Sequence, residues 1–229
     1  MKPMYLARAC YPSLSFTIGR LARRITKWSI HDDEALIQMY MFLESHSDYT
    51  LKGFIDRANI SKLRIDVYPD ADWAGDPETV RSTSGMHIQL SDGINVYPLE
   101  WASKRQSVVS CSTPEAELVS LARAVRMFAL SMQTLLTKLY GVQPPMYVHE
   151  DNSATILILQ KGYSPSLSHL ERTHKINIAW TCEVLKDKTV HLVKIASKDQ
   201  LGDFYTKPLD KHILADLMSR TGLTPGSKA

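Results

Sequence analysis

Carboxylates at four separated points of the chain are the side chains best placed to do chemistry. They are Asp70, the pair Glu115 and Glu117, Asp151 with Glu150 beside it, and Asp203. Each falls at an element boundary. Asp70 ends a strand, Glu115 and Glu117 lie in the first turn of a long helix, Asp151 ends the run "MYVHED", and Asp203 sits on a late helix. If these elements pack as one unit of sheet and helices, the acids converge. Crowded like charges are unfavourable in a low-dielectric site unless a cation is bound. Mg²⁺ prefers carboxylate oxygens in octahedral geometry and keeps several waters. Paired ions of this kind activate water and stabilise the leaving oxygen of a phosphodiester. The pattern therefore suits metal-dependent phosphodiester hydrolysis. Each acid also has an ordinary explanation. Glu115 and Glu117 complement a helix dipole, Asp151 can cap the helix that follows, and Asp203 can be a solvated helix residue. Helix geometry does not choose between Glu115 and Glu117, which flank the apolar stripe on opposite sides.

The elements that must position these acids follow from periodicity. Residues 1 to about 48 read as helical, with Leu14, Ile18, Leu21 and Ile25 at helical spacing. A second run carries Ala35, Leu36, Met39, Phe42 and Leu43 after the acidic start Asp32-Asp33-Glu34. Near residue 60, Leu63, Ile65 and Val67 alternate with Arg64, Asp66 and Tyr68, which predicts a strand. The turn-rich stretch "DADWAGDPETVRSTSG" leads to a hairpin: His87 to Leu90, the turn Ser91-Asp92-Gly93, then Val96 to Ser103. The longest helix has Thr113 as N-cap and Pro114 in the first helical position. Its stripe runs from Leu118 through Leu121, Val125, Ala129 and Leu136 to a stop at Gly141. After it come the strand "MYVHED", a short helix "NSATILILQK", a helix from about His174 to Lys186, the strand "TVHLVKIA", and helices on either side of Pro208. The tail "TPGSKA" is expected to be disordered. Antiparallel strands followed by strand–helix alternation predict an α/β fold, a mixed sheet with helices on its faces.

Bulk properties narrow the class. The 229 residues suit one large domain or one domain with an appendage, and 44% hydrophobic with 22% charged residues is ordinary for a globular protein. A net charge of +3 permits a nucleic-acid partner without requiring one. Cys10, Cys111 and Cys182 are odd in number and far apart, with no CxxC or Cys/His zinc spacing, and read as thiols in a reducing compartment. No apolar run is long enough to span a membrane, and Arg8 interrupts any leader-like core. The expectation is an intracellular protein without a membrane partner, with cytoplasmic particle and nucleus left undistinguished.

Four blocks, "YPDADWAGDPETVRSTSG", "WASKRQSVVSCSTPEAEL", "HEDNSATIL" and "KDQLGDFYTKPL", resemble in content and order the signature blocks of the ribonuclease H domain in copia-type LTR retrotransposon Pol polyproteins. They lie between residues 68 and 209, most of the chain. The first 55 residues, with "ARACYPSLSFTIGRLARRITKW" and "YMFLESHSDYTL", are similar to the segment that links the reverse transcriptase to its ribonuclease H. The resemblance implies a ribonuclease H-like mixed five-stranded sheet flanked by helices, with an N-terminal helical appendage. It implies three segments: 1–58 connection-like helices, 59–210 ribonuclease H-like domain, and 211–229 C-terminal helix and tail. The chain would then begin after the polymerase palm. It carries no Tyr-x-Asp-Asp motif, so polymerase activity is not expected of it.

The resemblance also implies roles. The matching acids are Asp70 (not Asp66 or Asp72), Glu117 as the second glutamate of "STPEAEL", Asp151 with Glu150 a close rival, and Asp203 with Asp199 at the helix start. They would hold Mg²⁺ or Mn²⁺, two ions, to hydrolyse the RNA strand of an RNA–DNA hybrid. The implied partners are that hybrid and the reverse transcriptase domain of the same polyprotein. Arg81, Ser82, Lys104, Arg105 and Lys175 are candidate contacts to phosphate or 2′-hydroxyl groups, although turn chemistry explains Ser82 equally well. Trp73 and Trp101 are expected to pack, and His174 to lie on the surface or face substrate. Three departures from the family stand out. Gly202 replaces a frequent Ala, a helix-weakening change of roughly 1 kcal/mol. Tyr205 replaces an apolar residue, and "RTHKINIAW" exchanges the order of Lys and His. The rival expectation is a silent, decayed or domesticated fragment that binds nucleic acid or supports a polymerase. The supporting role requires an exposed apolar face on the N-terminal helices.

Overall fold

The computed structural model describes residues 2–226. Three helices come first, α1 (Lys2–Ala9), α2 (Ser15–Arg23) and α3 (Ile30–Ser45), followed by a short strand β1 (Tyr49–Leu51). The helix start expected at Asp32 lies two residues earlier. Ser29 is the N-cap, and Asp32 closes a capping box with it. Then come β2 (Arg64–Asp72), β3 (Thr83–Ser91) and β4 (Val96–Arg105), helices α4 (Thr113–Ala124) and α5 (Leu130–Tyr140), and strand β5 (Met146–Glu150). Helices α6 (Ser153–Lys161), α7 (Leu170–Thr173) and α8 (Ile178–Leu185) precede β6 (Val190–Lys194). A 3₁₀ turn at Leu201–Tyr205, helix α9 (Lys211–Arg220) and strand β7 (Leu223–Pro225) close the chain.

Several local expectations are corrected. The N-cap of α4 is Ser112, whose hydroxyl accepts the Glu115 N–H, so Thr113 and Pro114 occupy the first two helical positions. The single long helix is two, α4 and α5, joined by a π-turn at Val125–Ala129. The helix expected from about His174 to Lys186 starts later, at Ile178, and a separate short helix, α7, precedes it. Lys175 takes a φ of 60° between α7 and α8, and the Asn177 side chain caps α8 at the Trp180 N–H.

The five-stranded sheet has the order β4-β3-β2-β5-β6. β2, β3 and β4 are antiparallel, whereas β5 pairs parallel with both β2 and β6. This is the mixed sheet flanked by helices that the sequence implies. One face is apolar: Ile65, Val67, Ile88, Met146 and Val148 pack with Leu118 and Leu121 of α4. The other face carries Tyr68, His87 and Trp101 as cross-strand neighbours. It is covered by the Leu201–Tyr205 turn and by the N-terminal helices. Trp101 Nε1 donates to the Ala7 carbonyl at 2.7 Å, and Tyr11 donates to the His46 carbonyl at 2.7 Å.

The tail departs from expectation. Leu223, Thr224 and Pro225 pair antiparallel with Leu51, Thr50 and Tyr49. Leu223 is buried in a cluster with Leu201, Phe204, Tyr205, Leu217 and Met218. The last three residues of "TPGSKA", 227–229, lie outside the described residues. Among the described residues, no helix is long and apolar enough to cross a membrane. Because Leu223 ties the end of the chain to the back of the sheet, Leu223→Ala should lower the unfolding free energy by about 2–4 kcal/mol in urea titration. An unchanged midpoint would put the tail outside the cooperative unit.

Candidate metal centre

β2 and β5 are paired from Ile65–Met146 to Val67–Val148 and then part. The chain leaves β2 toward β3 and β4 on one side of the sheet, and leaves β5 toward β6 on the other. The gap between them is therefore a crevice outside the carboxyl ends of two parallel strands, at a point where strand order reverses. Open sheets bind ligands at such points. Asp70 lies on β2 at this crevice, and Glu150 and Asp151 lie at the end of β5. α4 crosses the apolar face of the sheet and brings Glu117.

One oxygen each from Asp70, Glu117 and Asp151 lies within 4.8 Å of the others. Three of the four acids expected in the site thus meet. Asp203 adjoins them at the rim: its charge acts directly on Asp70, and its Oδ1 sits 2.7 Å from Lys207 Nζ. Asp203 is on the 3₁₀ turn rather than on an α-helix. Glu150, the rival of Asp151, is fully buried and accepts the Asn152 N–H at 3.0 Å. Glu115 points elsewhere, toward His169.

Burial dominates the electrostatics. It pushes the Asp70 carboxyl up to about 7, and Asp203 adds to the shift while the Thr206 hydroxyl opposes it. Glu150 rises to about 8, again mainly by burial, with the Asn152 N–H opposing and Asp151 reinforcing. Glu117 is pushed far upward by burial, then by Asp70, Glu150 and Asp151. Glu117 Oε2 and Glu150 Oε2 are buried without a hydrogen-bond partner. Unpartnered buried carboxylate oxygens are expensive as anions. Hard oxygen donors in this arrangement fit a divalent cation such as Mg²⁺ or Mn²⁺.

The residues that position the acids were not legible as such. Gln200 is buried in the parting of the strands. Its Nε2 donates to the Pro69 carbonyl at 2.9 Å and the His149 carbonyl at 3.3 Å, and its Oε1 accepts the Gly202 N–H at 3.1 Å. One side chain therefore joins β2, β5 and the turn that carries Asp203. Thr206 donates to Asp70 Oδ2. Gly202 is not the weakness that helix propensity implies. A Cβ there would lie 2.5 Å from the Asp70 Cβ and 3.0 Å from the Asp70 nitrogen, so glycine lets the turn lie against β2 at the acid itself. Tyr205, out of pattern for the family, donates to His87 Nδ1 at 2.9 Å, and His87 Nε2 meets Gln89 Oε1 at 3.2 Å. Burial holds His87 down to about 4, so the ring is neutral and both nitrogens are used.

Of the five candidate nucleic-acid contacts, Lys104 is exposed. Lys104 and Arg105 pair with Ser84 and Thr83, at the end of the sheet where Asp70 and Asp72 lie. Arg105 is engaged by Asp76 at 2.7 Å. Arg81 is half-buried in the preceding loop, and Lys175 is exposed beside Arg123, Arg126 and Trp180. Ser82 is corrected: it is fully buried, and its hydroxyl accepts the Ala74 N–H, so it shapes the loop and offers no surface. Trp73, expected to pack, is 46% exposed and donates to the Ser110 carbonyl. His174, expected to lie on the surface or face substrate, has a side chain only 1% exposed.

No protein-family model matches the chain. The chain is 27% identical over 219 residues to the retrovirus-related Pol polyprotein from transposon RE1 of Arabidopsis thaliana, a match that covers 93% of this chain and 14% of that protein. The chain thus spans a small part of the polyprotein it matches. It is 35% identical over 136 residues to the secreted RxLR effector protein 161 of Plasmopara viticola, covering 59% of this chain and 90% of that protein. Among solved structures, LC11-RNase H1 in complex with an RNA/DNA hybrid superposes with a TM-score of 0.44 at 19% identity, over 62% of this chain and 94% of that one.

Two predictions follow from the crevice. The raised carboxyls bind more protons in the folded state than in the unfolded state. Their contribution is present below the ordinary carboxylate range near 4 and is lost as pH rises through about 7–8. In chelator, the unfolding free energy should therefore fall over that window, Mg²⁺ should restore it most at the alkaline end, and Asp70→Asn should flatten the slope. A flat or rising profile in the unmodified chain would contradict the burial of these acids. Gly202→Ala should push the turn off β2 and lower stability by about 1–3 kcal/mol in denaturant titration. A gain in stability would mean that helix propensity, not close approach, governs the position.

Proposed function

From its similarity, over 93% of its length, to retrovirus-related Pol polyproteins of copia-type transposons, we propose that the chain is of that kind and that its acidic crevice is the active centre of a ribonuclease H that cuts the RNA strand of RNA–DNA hybrids during reverse transcription. The observation that carries this reading is the meeting of Asp70, Glu117 and Asp151 from two strands and a helix, with buried carboxylate oxygens left unpartnered. Residues 59–210, which contain all of these acids, are the catalytic segment in this reading. The described parts of the flanking segments, residues 2–58 and 211–226, brace its far face.

In the mechanism, Asp70, Glu117 and Asp151 would hold the ions, with Asp203 at the rim. Bound there, divalent ions supply water activation and charge neutralisation for phosphodiester hydrolysis. Thr206 and Gln200 fix the direction of the Asp70 carboxylate and its distance from the end of β5. Lys207 offsets the charge of Asp203. Lys104, Arg81, Arg105 and Lys175 are proposed to track phosphates, with salt-dependent and sequence-independent affinity. Preference for RNA would rest on 2′-hydroxyl contacts across the wide minor groove of the hybrid.

The reverse transcriptase domain of the same polyprotein is the proposed protein partner. α3 leaves Ile30, Ile37 and Met41 exposed at helical spacing on one side. That exposed apolar face is what a supporting contact to a polymerase requires.

The test is cleavage of a hybrid labelled on its RNA strand. Mg²⁺ or Mn²⁺ should be required, and Asp70→Asn and Glu117→Gln should each reduce the rate by about a hundredfold or more. Unchanged cleavage by Asp70→Asn would remove the assignment. Salt-sensitive hybrid binding with no cleavage by the unmodified chain would favour the silent fragment.

A further inference from the structure

On the side of α4 opposite Glu117, a second cluster has a different donor chemistry. Cys111 precedes the N-cap of α4, Glu115 lies in its first turn, and His169 precedes α7. One ligand atom from each of the three lies within 4.8 Å of the others. His169 Nε2 is 3.1 Å from Glu115 Oε1. Glu115 Oε2 is held by the Cys111 N–H at 3.0 Å, which leaves Oε1 directed at the imidazoles. His174 supplies the independent observation. Its side chain is 1% exposed, and its Nε2 is directed at the same Glu115 Oε1 from 3.4 Å, yet that nitrogen makes no hydrogen bond. Two histidines thus converge on one buried carboxylate oxygen, an arrangement that a bound cation would satisfy.

We propose that Cys111, Glu115, His169 and His174 form a site for a single Zn²⁺ ion, separate from the acidic crevice. The donor set, one thiolate, two imidazoles and one carboxylate, suits a borderline-soft ion and not Mg²⁺. Bonds of about 2.0–2.3 Å at tetrahedral angles put ligand atoms roughly 3.3–3.7 Å apart. The His174–Glu115 separation of 3.4 Å falls within that spacing, and the His169–Glu115 separation of 3.1 Å is slightly shorter. The ion has an entry path, because Cys111 is exposed and His169 is 37% exposed while Glu115 and His174 are buried behind them. The backbone N–H of Cys111 on Glu115 Oε2 is the outer hydrogen bond that orients a ligating carboxylate. Bound there, the ion fastens the segment around α7 to the start of α4, the helix that presents Glu117 on its other side. The site does not depend on the nuclease reading and is tested apart from it.

The experiment strips the purified full chain with chelator and titrates it with Co²⁺, followed by Zn²⁺. One equivalent of Co²⁺ should give the intense visible bands of tetrahedral coordination with a near-ultraviolet thiolate charge-transfer band, and one equivalent of Zn²⁺ should abolish both. Cys111→Ser should remove the charge-transfer band. His169→Gln and His174→Gln should each weaken Co²⁺ binding by about tenfold or more. Asp70→Asn and excess Mg²⁺ should leave the spectrum unchanged, which separates this site from the crevice. Zn²⁺ should raise the melting temperature of the unmodified chain but not of Cys111→Ser. Because Cys111 is exposed, that variant keeps the fold, as circular dichroism would verify. A weak octahedral spectrum, a full spectrum retained in Cys111→Ser, or a Zn²⁺ response lost in Asp70→Asn would each overturn the proposal. The cluster would then be a hydrogen-bonded pair of His169 and Glu115.

Discussion

The parting of β2 from β5 is the constraint on which the rest of the structure depends. Two parallel strands that separate after three paired residues expose backbone carbonyls in the interior, and a buried carbonyl must find a partner. Gln200 provides it, spanning from Pro69 to His149 while its own oxygen takes the Gly202 N–H. Backbone satisfaction and site assembly are thus one event. The turn that bridges the gap is also the turn that carries Asp203 to Asp70, and it lies that close only because residue 202 has no Cβ. The same opening admits Glu117 from α4. Burial of the acids, and after it their mutual repulsion, is the cost of this arrangement, and both appear in the raised pKa values of Asp70, Glu117 and Glu150.

The far face of the sheet explains why the end segments belong with the domain. Tyr68, His87, Gln89 and Trp101 are unusual residues for a sheet face, and each requires a polar partner as well as cover. Tyr205 and Gln89 complete the hydrogen bonds of His87, and the Ala7 carbonyl takes the Trp101 N–H. The cluster that seals this face draws Leu201, Phe204, Leu217 and Leu223 from the last part of the chain and Tyr11, Phe42, Tyr49 and Leu51 from the first. β1 and β7, which pair with each other, tie the two ends together. An N-terminal segment that reads as an appendage in sequence is therefore one wall of the back face, and the turn that positions Asp203 is packed directly against it.

Much of this was legible in sequence. Alternation from Leu63 to Tyr68 gave the central strand, the Ser91-Asp92-Gly93 turn gave the hairpin, and the position of acids at element ends gave the crevice. Ordered motifs gave the five-stranded sheet. What was illegible shares one physical cause: it depends on contacts across long sequence separations. Gln200 looks like any polar residue before a helix until Pro69 and His149, 131 and 51 residues away, are placed beside it. Ser82 and His174 were read as outward-facing because residue type favours the surface, but the tertiary structure turned both inward. The long apolar stripe hid its own break, because a π-turn changes the register without requiring glycine or proline. The pairing of the tail could not be read from "LTP" alone, since its partner is Tyr49–Leu51.

The first turn of α4 shows how one short stretch serves two ends. Glu115 and Glu117 are two residues apart, roughly 200° around the helix. Glu115, in the first turn, lies where the helix dipole and free backbone N–H groups favour negative charge, Glu117 lies just beyond it, and both are buried. Their surroundings then diverge. Glu117 faces the carboxylates of Asp70, Glu150 and Asp151, a set that hard ions satisfy. Glu115 meets imidazoles and a thiol, a set that a softer ion or a proton satisfies. A helix that must hold Glu117 steadily against Asp70 gains from an anchor on its opposite side. The Glu115 cluster supplies one by gripping α4 at the same turn, through residues that belong to neither strand of the crevice. The steadiness of the acidic centre therefore rests on two fixed points, Gln200 between the strands and the Glu115 cluster behind the helix, and the failure of either would be felt at Glu117 and Asp70 together.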